Sequence, residues 1–143
     1  MGPVSADAAP RVHRTPIQLR FSDTDALGHV NNASFAVYAE LGRLAFMNEM
    51  GSIVRSIILA HLSIDFRRQV ELGAAVEVTT SVARLGTTSV TLQQTIWADG
   101  TAAAEVRSVV VVFDYAAQRS VPVPDAVRAM LADYLMPDPP PEG

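Results

Sequence analysis

The chain opens with a period-two pattern: Ile17, Leu19 and Phe21 are apolar, and Gln18 and Arg20 between them are polar. Such alternation predicts a half-buried strand, placed here from about Val12 to Phe21. From about Ala33 to Met50 the period changes. Val37, Tyr38, Leu41, Leu44, Ala45 and Met47 recur at intervals of three and four, which predicts a helix with these residues as its buried stripe and Gly51 as its C-terminal cap. Four strand-like runs follow, at about 53–67, 75–84, 87–98 and 102–114. In the first, Ile58, Ala60, Leu62, Ile64 and Phe66 are expected to face one way, and His61, Ser63, Asp65 and Arg67 the other. In the second, Val76, Val78, Thr80 and Val82 oppose Glu77, Thr79 and Ser81. Asp99-Gly100 is a strong hairpin signal. The last run contains VVVVF, residues 109–113, apolar on both faces, so it is expected centrally in a sheet or in a subunit contact. A short helix is expected from near Pro124 to near Leu135, with proline in its first turn.

The order is strand, long helix, four strands, short helix. Strands joined by short loops favour an antiparallel sheet, and a single long helix must bury its stripe against it. The fold class is α+β, with a sheet able to wrap the helix. Residues 1–10 and the proline-rich tail 137–143 are expected to be mobile, flanking one domain over 11–136. No internal repeat or linker interrupts that span.

Composition narrows the function classes. The 143 residues suit one domain, and 49% hydrophobic with 18% charged residues suits a soluble protein. No apolar run approaches the roughly 18 residues of a membrane span, and the N-terminus lacks the basic and apolar regions of a secretory signal. The absence of cysteine fits a reducing cytoplasm. A net charge of −4 argues against general nucleic-acid binding. All eleven cationic side chains are arginine, so an anionic ligand would be met by guanidinium groups, backbone N–H groups or a helix N-terminus.

The densest polar chemistry is DTDALGHVNN, residues 23–32, directly ahead of the long helix. A helix beginning near Asn32 or Ala33 presents unpaired N–H groups and the positive end of its dipole, which would polarise a carbonyl and hold an oxyanion. A carboxylate at Asp25 could fold back beside the same space as nucleophile or general base. Together they form half of an acyl-transfer site. The competing reading is structural: Asp and Asn cap helices, and glycine makes turns. An EF-hand reading fails, because Leu27 and Ser34 stand where calcium ligands are required. A transition-metal site on Asp23, Asp25 and His29 lacks a second histidine at ligand spacing, and no metal or organic cofactor is expected. His13 and His61 have no visible partner and are expected at the surface or an interface.

At these residues the chain resembles the hotdog-fold acyl-CoA thioesterases, specifically the 4-hydroxybenzoyl-CoA thioesterase and acyl-CoA thioesterase branch. The resemblance rests on LRFSDTDALGHVNNASFAVYAELGRLAF, residues 19–46, and extends more weakly over residues 14–130. It implies an antiparallel sheet wrapped around one long central helix. It implies Asp25 as the catalytic carboxylate, with Asp23 shaping the loop, His29 assisting, and a backbone N–H near Asn32 on the thioester carbonyl. Asn31, Glu40, Arg67, Thr88 and Ser89 are the implied substrate neighbours, with an ordinary strand role as the competing reading of Thr88 and Ser89. Glu40 and Arg43 match an E-x-x-R pattern whose spacing also permits an exposed or interfacial ion pair. Ala74 departs from the family, where aspartate is frequent. Arg55, Arg67, Arg68 and Arg84 are candidates for the CoA phosphates. The resemblance further implies a homodimer or homotetramer with an acyl-CoA substrate and no membrane or nucleic-acid partner. Two other classes share the element order: a hotdog domain that binds acyl-CoA without turnover, and a cystatin-like domain with no enzymatic site.

Overall fold

The structure is a computed structural model, described over residues 9–51 and 56–137. Its elements are β1 (His13–Ile17), a 3-10 turn (Phe21–Asp23), α1 (Asn32–Glu49), β2 (Ile57–Phe66), β3 (Val76–Leu85), β4 (Ser89–Ala98), β5 (Thr101–Asp114), β6 (Arg119–Ser120) and α2 (Asp125–Ala132). The strands form one antiparallel sheet in the order β1-β3-β4-β5-β2, and β6 pairs with β5. The single long helix α1 packs on β1, β3 and β4. The sheet curves about it, which is the α+β hotdog arrangement the resemblance implies. Most of the expected mobile ends, and the start of the run at 53–67, lie outside the described residues. Among the described residues, no helix is long and apolar enough to cross a membrane.

β5 is an interior strand, hydrogen-bonded along one edge to β4 and along the other to β2, and in its VVVVF run Val110 and Val112 are buried on one face while Val109 and Val111 are half-buried on the other. Asp99 and Gly100 both take positive φ, 49° and 81°, as a two-residue β4–β5 hairpin loop requires. Two contiguous cores result. Phe46, Met47, Val82, Val90, Leu92, Val110 and Leu131 fill one, closed by α2; Ile17, Val30, Phe35, Tyr38, Val78, Ile96 and Val106 fill the other, below the start of α1. Each fully buried Phe or Met contributes about 1.5–3 kcal/mol over an exposed one. Gly42 permits the close approach of helix to sheet, since a Cβ there would sit 2.6 Å from Val78 Cγ1.

Several expectations need correction. The first strand stops at Ile17, and Phe21–Asp23 is a 3-10 turn with Phe21 exposed. Of the expected helical stripe only Tyr38 and Met47 are buried and Ala45 is half-buried, while Val37, Leu41 and Leu44 face outward. The buried face is instead Phe35, Tyr38, Ala39, Gly42, Arg43, Phe46 and Met47. A helix apolar on two sides carries two candidate stripes, and the small residues Ala39 and Gly42 decide which one fits the sheet.

The β2 alternation breaks at a bulge between Leu59 and His61. Leu59, Leu62, Ile64 and Phe66 pair in register with the buried Val110, Ser108, Val106 and Ala104, whereas Ile58 pairs with the half-buried Val111 on the opposite face. One extra residue has turned Ile58 away from the others. His13 is buried rather than at the surface, with Nε2 3.2 Å from a Glu49 carboxylate oxygen and its ring 5.5 Å from that of Phe46. The pattern also left out β6, and Pro124 caps α2 rather than lying inside it.

Candidate active site

The loop between β1 and α1 divides into an anchored half and an open half. In the first, Asp23 is buried. Its carboxylate accepts from the Arg20 N–H at 2.9 Å, the Arg20 guanidinium at 3.0 Å and the Tyr38 hydroxyl at 2.8 Å. Its carbonyl accepts from the Asn31 N–H at 2.8 Å and the Ser34 hydroxyl at 3.0 Å. Desolvation would raise the Asp23 pKa, but the bonds from Arg20 and Tyr38 outweigh it and hold the carboxyl below its ordinary value. Burial and the bond to Asp23 push the Tyr38 phenol well up. Asp23 thus ties the loop to the second turn of α1, the shaping role expected for it.

The open half is a tight hairpin loop. Asp25 N–H donates to His29 O at 2.7 Å and Gly28 N–H to Asp25 O at 3.1 Å, with a bridge between Thr24 and Val30 outside them. Gly28 takes φ +80°, the left-handed position that ends a three-residue hairpin loop, where an L side chain is strained. The exposed Asp25 carboxylate is fixed through one oxygen: Oδ1 accepts from Leu27 N–H at 2.9 Å and His29 N–H at 3.1 Å. Among the described residues Oδ2 has no hydrogen-bond partner. It is His29's backbone, not its imidazole, that orients Asp25.

At the helix entrance Asn31 is the N-cap: its Oδ1 accepts from Ala33 N–H at 2.9 Å. Ser34 N–H turns back to Asn31 O at 2.8 Å. The second and third N–H groups of the helix are therefore occupied, and the Asn32 N–H has no acceptor among the described residues. Asp25, His29 and Asn32 all line a recess of about 250 Å3 with Val30, Phe35, Phe66, Arg67, Arg68 and Gln69. Its far wall is held by the N–H groups of Arg67 and Arg68, which both donate to Ala103 O at 2.8 and 3.1 Å. Arg68 also borders a neighbouring recess of about 420 Å3 lined by residues 69–74 and Thr101. The arrangement offers a free carboxylate oxygen, a free N–H at a helix N-terminus and two arginines, which suits attack on a carbonyl of an anionic molecule.

Other expected neighbours lie elsewhere. Glu40, eight residues beyond Asn32, stands about 12 Å along the helix. Glu40 is exposed and Arg43 is 5% exposed, and Arg43 Nη2 lies 4.0 Å from Glu40 Oε2, too far for a hydrogen bond. The ion pair that the spacing permits is present at that long distance, but its cation is buried rather than exposed, because α1 turns Arg43 toward the sheet; burial lowers the Arg43 pKa despite Glu40. Thr88 and Ser89 lie at the β3–β4 turn, where Val112 N–H donates to Thr88 O. Ala103 and Val112 are nine positions apart on β5, so within one chain that turn is about 30 Å from the recess. Arg84 lies at that same far end of β3, and Arg55 lies outside the described residues. Phe66 and Gln69 had not been expected at the site. Their only sequence signal was position: Phe66 ends, and Gln69 follows, the strand that returns to the helix entrance.

Residues 19–131 match the thioesterase-like superfamily. The chain belongs to that family. A predicted thioesterase from Bacillus stearothermophilus is 30% identical with a TM-score of 0.82, over 91% of this chain and 100% of its own. A thioesterase from Thermus thermophilus, solved with coenzyme A and Zn, is 31% identical with a TM-score of 0.77, over 82% of this chain and 90% of its own. The protein SAV2348 from Staphylococcus aureus, solved in complex with CoA, shares the fold at 15% identity with a TM-score of 0.84, over 97% of this chain and 93% of its own. No curated protein matches this chain. Family membership removes the cystatin-like alternative and makes the hotdog domain that of a thioesterase relative.

Proposed function

We propose that this protein is an acyl-CoA thioesterase of the cytoplasm, acting as a homodimer or homotetramer and using no metal or organic cofactor. The observation that carries the reading is the pairing, in one recess, of an unclaimed Asp25 Oδ2 with an unclaimed Asn32 N–H. The thioester carbonyl oxygen sits on the Asn32 N–H, where the helix end stabilises the negative charge that develops. Asp25 either attacks the carbonyl carbon, expelling CoA thiolate and leaving a mixed anhydride for water to open, or removes a proton from the attacking water. Both routes consume one water and yield the free acid and CoA. Asn31 holds the helix entrance, and Arg67 and Arg68 meet the CoA phosphates.

The oligomer reading is supported by β2, an edge strand of ten residues with Leu59, Leu62 and Phe66 exposed. Glu40, Thr88 and Ser89, distant from the recess within one chain, can serve it only from a neighbouring subunit.

The test is thiol release from a panel of acyl-CoAs by wild type and Asp25→Asn. Release by wild type that falls by about 10² to 10⁴-fold in the variant supports Asp25 as the acting carboxylate. Undiminished turnover in Asp25→Asn would falsify that role. Tight acyl-CoA binding without release by either protein would make the domain a carrier or sensor.

A further inference from the structure

Resting on the thioesterase reading, we propose that Glu71 is a positioning residue of the same site, whose carboxylate accepts from one ring N–H of His29 and so orients the imidazole toward the substrate. The basis is a strand-like register between the loop and the segment after β2. Val30 N–H donates to Val70 O at 2.7 Å and Leu72 N–H to Gly28 O at 3.4 Å, and between these two bonds His29 and Glu71 form an antiparallel bridge. The bonds come from the flanking residues, so His29 and Glu71 are a non-hydrogen-bonded pair, in which facing residues come closest, at about 4.5 Å between Cα atoms. Val30 and Val70, one position on, are both buried, which puts the side chains of His29 and Glu71 together on the opposite, outward face. Their Cβ atoms are then about 5 Å apart. The main chain of Glu71 is fixed further by a turn in which Ala74 N–H donates to Glu71 O at 3.2 Å and Gly73 takes φ 98°.

Half-buried His29 lines the recess with Asp25 and Asn32, and exposed Glu71 lines the neighbouring one. Of the other charged groups lining the two recesses, Arg67 and Arg68 only donate, Asp25 is tied to the His29 main chain, and Asp99 accepts from the Ala75 N–H. Among the described residues the Glu71 carboxylate has no partner, and rotation of its own side chain brings it to the imidazole with no backbone movement. An imidazole by itself has two tautomers and turns about its ring torsion. An acceptor on one nitrogen fixes both choices and leaves the other nitrogen for the ligand. In the open recess water competes with so exposed a pair. A bound acyl-CoA displaces that water, so the pair tightens in the substrate complex.

The experiment measures kcat and KM, on the best acyl-CoA of the panel, for wild type, Glu71→Gln, Glu71→Ala, His29→Ala and the His29→Ala/Glu71→Ala double variant, with a melting temperature for each. Glu71→Ala is expected to raise KM by about two- to fivefold with kcat within about twofold, and Glu71→Gln to do the same or less. In the His29→Ala background the Glu71→Ala change should alter KM by less than about 1.5-fold, because the ring through which Glu71 acts is gone. The melting temperature should not move, since Glu71 is exposed and its bridge is made by the main chain. A role for Glu71 in folding, or in direct contact with substrate, would instead give the same KM change in both backgrounds. That result, or an unchanged KM in Glu71→Ala, overturns the inference while leaving the thioesterase reading intact. No thiol release by any of the five proteins removes both.

Discussion

Asp23 and Asp25 are two residues apart, yet the loop gives them opposite environments. Asp23 is enclosed, and each of its carboxylate oxygens is claimed by Arg20 or Tyr38. Asp25 is exposed, with one oxygen tied down and the other free. The first arrangement spends the carboxylate on holding the chain; the second orients a carboxylate and leaves it able to react. Identity and spacing do not separate the two, but hydrogen-bond saturation does. The same contrast recurs one residue apart at the helix entrance, where the Ala33 N–H is capped and the Asn32 N–H is not.

Substitutions at the two aspartates should therefore separate activity from stability. The largest effect is the loss of turnover in Asp25→Asn described above, with little change in melting temperature because the residue is exposed. Next is Asp23→Ala, which strands the buried Tyr38 hydroxyl and the Arg20 N–H. A loss of about 3 kcal/mol of folding stability in urea melts is expected. Asp23 also predicts the acid limb. Its carboxyl is depressed in the fold, so its contribution is fully present above the ordinary value of 3.8 and is lost as pH falls through the lower folded value. Stability against pH should flatten in that window for Asp23→Ala relative to wild type. An unchanged acid limb would show that the anchor does not set it.

A smaller effect is expected at Asn31. Replacement by alanine removes the acceptor for the Ala33 N–H and should cost about 1 kcal/mol in urea melts. It also leaves two open N–H groups where there was one. Turnover should fall modestly if the cap serves chiefly to hold the entrance in place, and a fall as deep as that of Asp25→Asn would make the Asn31 side chain itself a contact of the reacting group.

Where the chain carried one pattern, its structure was legible. The double apolar face of VVVVF placed β5 centrally, Asp99-Gly100 placed its hairpin, and the motif placed Asp25, His29 and Asn32 around one recess. Where it carried two patterns, the choice lay in tertiary packing. α1 is apolar both at Val37, Leu41 and Leu44 and at Phe35, Ala39 and Phe46, and only contact with Val78 and Gln94 through Gly42 selects the second. The bulge in β2 has no signal in the alternation it breaks. Phe66 reads in the sequence as one more strand residue, and it becomes a wall of the recess only because β2 ends beside the start of α1.

The smallest effect is expected at His29, where the resemblance and the geometry divide. The motif implies an assisting imidazole, but Asp25 is bonded to the His29 main-chain N–H, and the ring has no hydrogen-bond partner among the described residues. His29→Ala keeps that N–H, so the orientation of Asp25 survives the substitution. The ring does line the recess, so its removal should be felt in substrate binding. KM is expected to rise by several-fold with kcat within about fivefold, the pattern of a lost binding contact rather than a lost transition-state contact. A kcat as low as that of Asp25→Asn, with KM unchanged, would mean that the imidazole moves a proton during the reaction. The open half of the loop would then work as a carboxylate–imidazole pair, and the free Asp25 oxygen would no longer suffice as the account of its chemistry.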